Sequence, residues 1–156
     1  MPKLIKDGAV VADDHWRAPE AEAEQVAQGA IATLAQWEKL EDKRGSAVQL
    51  EPGDGVEPLL PHLDEIELVT VDFPSFTDGR GFSYARELRE RGYRGELRAV
   101  GAFIRDQLHL LLRCGFNAFQ LADESELEGA LDSLRDFSEH YQAAIDQPLP
   151  LFRRRE

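Results

Sequence analysis

Cysteine is nearly absent from this chain: among 156 residues only Cys114 is one. A single thiol excludes an internal disulfide, a CxxC redox pair and a four-cysteine iron–sulfur or zinc site within one chain. Cys114 lies in LHLLLRCGF, an apolar helical run that ends at Gly115, and is expected to be a buried, inert thiol. A redox role needs exposure and a positive neighbour such as Arg113. Long hydrophobic runs are also missing. No stretch approaches the roughly 20 apolar residues that cross a bilayer. The opening MPKLIKDGAVV lacks the apolar centre of a secretory signal, so a cytoplasmic location is expected. The histidines, His15, His62, His109 and His140, are scattered without HxxxH or HExxH spacing, and no metal centre is expected. The glycines make neither GxxxxGK nor GxGxxG; Gly79 and Gly81 have no third partner in place. Basic residues are in deficit, 18 Lys and Arg against 30 Asp and Glu, for a net charge of −12. Repulsion from a phosphate backbone argues against general nucleic-acid binding, and the acidity serves solubility.

What is present reads as one α/β domain over residues 1–146, followed by a basic tail at 147–156 that is expected to fray. Residues 3–11 read as a β-hairpin around Asp7-Gly8, the pair that favours a type I′ turn. Residues 13–24 are acidic and contain Pro19, and read as an irregular connection. The core spans 29–141. Residues 29–34 form a weak strand and 35–43 a helix, or the two join as one helix from Glu22; the alanines leave both open. Residues 47–50 read as a strand and 56–63 as a proline-broken helical turn. Strands at 67–73, 96–100 and 117–121 then alternate with helices at 82–91, 104–114 and from Ser125 toward Tyr141. Gly92 and Gly115 stop the first two helices, and Ser125 with Glu128 forms a capping box for the third. This βαβαβα alternation predicts a parallel sheet, either an open doubly wound sheet or an incomplete TIM-like (βα) barrel. The chain is too short for eight βα units, which take about 250 residues.

The strand ends carry the chemistry. DFPSFTDGRG, residues 72–81, follows a buried strand and precedes a helix, where ligands bind in parallel sheets. Ser75, Thr77, Asp78, Arg80 and Ser83 are the candidate anion-binding residues there, assisted by free N–H groups at the helix start. The same residues also serve as plain cap and turn residues. Arg105, Asp106 and Gln107 follow the next strand, are expected on the same rim, and with Arg98 complete the candidate anion-binding set, Arg98 or Arg105 facing the anion from the opposite side. Arg98 lies inside that strand, where a charge is costly unless paired, and a pair with Asp72 is the expectation. Asp72, Asp78, Asp106 and Asp123 sit where magnesium ligands sit, although turn and cap roles suit them better.

Residues 66–121 resemble the bacterial domain-of-unknown-function 934 family. The carrying runs are VDFPSFTDGRGFSYARELRERGYRGELRAVG and IRDQLHLLLRCGFNAF. Asp72, Phe73, Pro74, Thr77, Asp78, Gly79, Arg80, Gly81, Arg98, Gly101, Arg105, Asp106, Gln107, Cys114 and Gly115 stand at its motif positions. Many members are encoded beside sulfite reductase, and the family is labelled an oxidoreductase of sulfite reduction. That label implies a pathway and brings no catalytic residue with it. A weaker similarity, in Gly101, Gln107-Leu108, Gly115 and Gln120, is to a late βα unit of EAL-type cyclic-dinucleotide phosphodiesterase barrels, without their acidic metal signatures.

The resemblance implies an accessory protein of sulfite or sulfate reduction that binds sulfite reductase or its electron donor through an acidic surface. The residues themselves allow a small-anion-binding enzyme or sensor built on the strand-end Thr and Arg groups. A structural module that completes its sheet as a homo-oligomer is the third expectation. No cofactor signature is present, so flavin or nicotinamide chemistry ranks below these.

Overall fold

The structure is a computed structural model, and it describes residues 4–11, 14–20, 22–23, 25–74, 80–101, 108–121, 129–130 and 132. β1 (Leu4–Lys6) and β2 (Ala9–Val11) pair antiparallel. Asp7 and Gly8 between them have φ of 53° and 81°, both left-handed, as a type I′ turn requires. The hairpin expectation holds.

The parallel part follows: β3 (Ala32–Thr33), α1 (Leu34–Glu38), β4 (Ser46–Leu50), a 3-10 turn (Glu57–His62), β5 (Ile66–Phe73), α2 (Arg80–Glu90), β6 (Glu96–Gly101), α3 (Leu108–Cys114) and β7 (Ala118–Leu121). Among the described residues these strands and the hairpin make one 7-stranded sheet in the order β2-β1-β7-β6-β5-β4-β3. From β3 to β7 each strand lies parallel beside the one before it. A doubly wound sheet reverses its strand order at a switch point. No reversal occurs here, so the order is that of a (βα) barrel segment left open, with β1 closing antiparallel onto β7.

One-way winding puts the helices on one face. Trp37 of α1, Ala85 and Leu88 of α2, and Leu108, Leu111 and Cys114 of α3 share a buried cluster with Val48, Val69, Val71, Leu97, Ala99 and Phe119 of the strands. β5 is buried along nearly its whole length, as a central parallel strand is expected to be. The opposite face is polar toward its middle. It is covered in part by the irregular segment 14–17, whose Trp16 packs on Ile31, Ala47 and Leu68.

The helix ends follow from local chemistry. α2 and α3 both close in a Schellman motif. Gly92 and Gly115 adopt φ of 102° and 120°. Tyr93 N–H and Phe116 N–H reach back to the carbonyls of Leu88 and Leu111. α1 is opened by a Thr33–Gln36 capping box. It stops at Glu38, short of the expected Lys43: Lys39 and Leu40 N–H tighten onto the Gln36 and Trp37 carbonyls, and Lys43 Nζ takes the Leu40 carbonyl at 2.8 Å. The continuous helix from Glu22 does not form. Gly29 is left-handed, with φ of 83°, and Arg17 bridges Ala30 in parallel fashion. Helix 104–114 is described from Leu108 onward. The expected helix from Ser125 to Tyr141, apart from 129–130 and 132, and the tail 147–156 lie outside the described residues.

Candidate functional site

The parallel register fixes one edge as the place where loops converge. Phe73, the last residue of β5, is the partner of Gly101, and Gly101 is the partner of Leu121 at the end of β7. The chain beyond each of these residues leaves from that carboxyl edge. Ser75, Thr77, Asp78, Arg105, Asp106 and Gln107, together with the side chain of Arg80, lie outside the described residues. Arg80 is the first residue of α2. Ser83 is exposed, and it lines a shallow groove along α2 with Phe82, Arg86, Glu87, Glu90 and Arg91. Ser83, Arg86, Glu87 and Glu90 lie opposite the buried stripe of Ala85 and Leu88, and Phe82 packs on the core at its margin.

Among the described residues the carboxyl edge is acidic. Glu51 and Asp54 lie in the turn after β4, and Asp72 lies one residue from the end of β5. Tyr84 of α2 holds the turn. Its hydroxyl accepts from Gly53 N–H at 2.8 Å and Gly55 N–H at 3.1 Å, and donates to the Glu51 carbonyl at 3.3 Å. Asp54 Oδ2 accepts from Glu51 N–H at 2.8 Å. Burial pushes the Asp72 carboxyl above its ordinary range, and the nearby Glu51 charge adds to the shift. Gly101 makes room for it. A Cβ there meets the Phe73 carbonyl oxygen at 2.6 Å and Asp72 Oδ1 at 2.7 Å. Sequence reasoning missed Tyr84; the signal was a turn with two glycine N–H groups that need an acceptor.

Arg98 belongs to a different place, the middle of the polar face. Its side chain is 1% exposed. Asp14 grips it end-on, with Oδ2 2.9 Å from Nη1 and Oδ1 3.1 Å from Nη2. Glu96 Oε2 lies 2.9 Å from Nε and 2.8 Å from Nη2. Gln120 Oε1 accepts from Nη1 at 3.3 Å, and Lys6 Nζ lies 3.1 Å from the other oxygen of Glu96. Every guanidinium nitrogen has an acceptor. The expected Arg98–Asp72 pair is therefore corrected. In the register Arg98 faces Thr70, while Asp72 faces Val100, nearer the edge. Beside this network Thr70 donates to Gln49 at 3.1 Å.

Cys114 is buried, as expected, with Arg86 Nη2 3.7 Å from its sulfur. His15 stacks on Trp16 and His62 sits edge-on to Trp37. Among the described residues no three His, Cys, Asp or Glu side chains are placed to share a metal ion. None of the described helices is long and apolar enough to cross a membrane. At the amino edge two grooves open, of about 360 and 590 Å³. The first is lined by Trp16, Ser46 and Glu67 among others, the second by Leu63, Ile66 and Arg94.

The fold and this edge define an open, one-way-wound α/β protein whose described residues show an acidic carboxyl rim and a polar face covered in part by segment 14–17. Residues 47–152 match the model of a family described as bacterial protein of unknown function, DUF934, and the chain belongs to that family. No curated protein matches the chain. No solved structure matches it. The matched region begins in β4. Glu51, Asp72, Glu96, Arg98 and Gln120 fall inside it, and Lys6 and Asp14 fall before it.

Proposed function

We propose that this protein is a cytoplasmic bacterial accessory factor of sulfite reduction, docking through its acidic carboxyl edge onto a positively charged face of sulfite reductase or of its electron donor. The pathway comes from the family resemblance. The observation that carries the mode of action is the gathering of Glu51, Asp54 and Asp72 at that edge, where burial first and the Glu51 charge second raise the Asp72 carboxyl. Carboxylates gathered at one edge make a negative local field. Such a field draws a cationic protein surface and repels a free anion. With Asp54 and the exposed Glu57, these groups give the rim one sign among its described residues.

Co-purification tests this reading. A tagged chain from a host carrying the sulfite-reduction operon is expected to retain the reductase or its donor. Glu51→Lys with Glu57→Lys is expected to release it, since both side chains are exposed. No enrichment, together with normal growth on sulfate after gene deletion, overturns the proposal.

A second reading keeps a small oxyanion at Thr77, Arg80 and Ser83. It is favoured by the start of α2 at Arg80, which brings a helix N-terminus to the same edge. Calorimetry with sulfite, sulfate and phosphate decides it; equal heats for the parent and Arg80→Ala remove it. The structural reading, with the open β2 or β3 edge pairing with a second copy, fails if light scattering at micromolar concentration finds a monomer.

A further inference from the structure

A buried arginine in the middle of a sheet is an expensive way to fill space. A well-packed apolar residue of similar volume gives equal or better stability than a buried ion pair, so Arg98 invites a role other than packing. Thr70 and Arg98, the polar residues that are fully buried among those described, stand side by side in the register of β5 and β6 on the same polar face. In a one-way-wound sheet this face lies opposite the helices, where a closed barrel has its interior.

What covers Arg98 is not another strand. Among the described residues it is the irregular segment 14–17. Arg17 N–H bonds to the Gly29 carbonyl and Ile31 N–H to the Arg17 carbonyl, each at 2.9 Å. Trp16, itself half-buried, rests on Ile31, Ala47 and Leu68. Arg17 Nη2 also donates to the Gln28 carbonyl at 2.9 Å, and Asp14 adds a planar carboxylate laid against both terminal nitrogens of the Arg98 guanidinium. That geometry is how arginine recognises free carboxylates and related oxyanions. Asp14 lies 84 residues from Arg98 along the chain and precedes the region the family model matches.

We propose that Arg98, with Gln120 and Thr70 beside it, is an oxyanion-binding site on the polar face, and that Asp14 occupies it as a built-in competitor on a releasable strap. An incoming oxyanion of single negative charge replaces one carboxylate by another, so the ionic balance with Glu96 and Lys6 is preserved. The strap then leaves with Trp16, uncovering Ile31, Ala47 and Leu68. The site differs in place and sign from the acidic carboxyl rim, and it stands whether or not docking at that rim is upheld.

Amide exchange on the full chain is the test, with formate and sulfite as probes and chloride at matched ionic strength as control. The Arg17 and Ile31 amides report strap release, since both bonds break with it. If the oxyanion binds only the released form, their exchange rises as 1 + [L]/Kd, about tenfold at a probe concentration ten times its Kd. Acceleration by formate alone assigns a carboxylate ligand, and by sulfite alone a sulfur oxyanion. A second measurement uses Asp14→Asn, which removes the competing charge. Its affinity for the active probe is expected to rise at least about tenfold, and Arg98→Met in that background is expected to abolish binding. Unchanged Arg17 and Ile31 exchange with both probes overturns the proposal, and does so even where Asp14→Asn fails to fold.

Discussion

Replacing Arg98 by Met leaves Asp14 and Glu96 facing each other across a buried site with Lys6 as their remaining cation. Breaking a buried pair from one side costs about 3–5 kcal/mol. Denaturant unfolding of Arg98→Met is therefore expected to show a loss of that size, and a change near zero contradicts the network. Asp72 acts in the opposite sense. Its pKa is raised in the folded chain, so between the unfolded and folded values the folded state holds a proton that the unfolded state lacks. Stability falls as pH rises through that window, and above it the penalty is complete. Asp72→Asn is expected to melt higher than the parent at pH 7, with the gain fading on acidification and gone below pH ~3, where both states are protonated. A gain independent of pH contradicts the assignment. Arg98 was legible as a charge in need of a partner. The partner was not, because Asp14 is 84 residues away in a segment without periodicity. Six of the candidate site residues, Ser75, Thr77, Asp78, Arg105, Asp106 and Gln107, remain candidates by sequence position alone.

Elements were legible where punctuation and periodicity agree. Gly92 and Gly115 each end a helix as expected, yet their surroundings differ. A Cβ on Gly92 meets nothing within 4 Å, whereas one on Gly115 meets Arg89 Cγ at 2.6 Å. Arg89 bonds the carbonyls of Gly115, Tyr93 and Gly95, each at 2.9 Å, and so ties the ends of α2 and α3 to the start of β6. Both alanine variants carry the left-handed penalty of about 1 kcal/mol. Gly115→Ala is expected to lose more than that in equilibrium unfolding, and Gly92→Ala only that much. Equal losses contradict a staple role for Arg89. Thr33→Ala removes one half of the capping box of α1 and is expected to cost about 1 kcal/mol. The length of α1 escaped the sequence because its last turn tightens at Lys39 and Leu40 and Lys43 turns back onto the Leu40 carbonyl, contacts that periodicity does not show. Alanine-rich residues 29–34 suit helix and strand alike, and Gly29 together with the Arg17–Ala30 bridge decides for the strand.

At the scale of the whole molecule, the alternation of strands and helices fixed the class but not the winding. A buried parallel strand has the same residues in a doubly wound sheet and in a barrel segment, so strand order is set by which neighbours pair, which no local pattern encodes. The observed order sends successive strand ends to one rim and leaves the other face to the strap. Net charge of −12 was legible at once; that Glu51, Asp54 and Asp72 share the carboxyl edge needed the register of β4 and β5. The most direct measurement is a titration of the purified chain against purified sulfite reductase, and against its electron donor, at ionic strengths of about 0.05 M and about 0.5 M. Docking through the acidic rim predicts saturable binding to one of them that weakens at least about tenfold at the higher salt, and more than that for Glu51→Lys with Glu57→Lys. Absence of binding to both at low salt, or binding indifferent to salt and to those two substitutions, contradicts it.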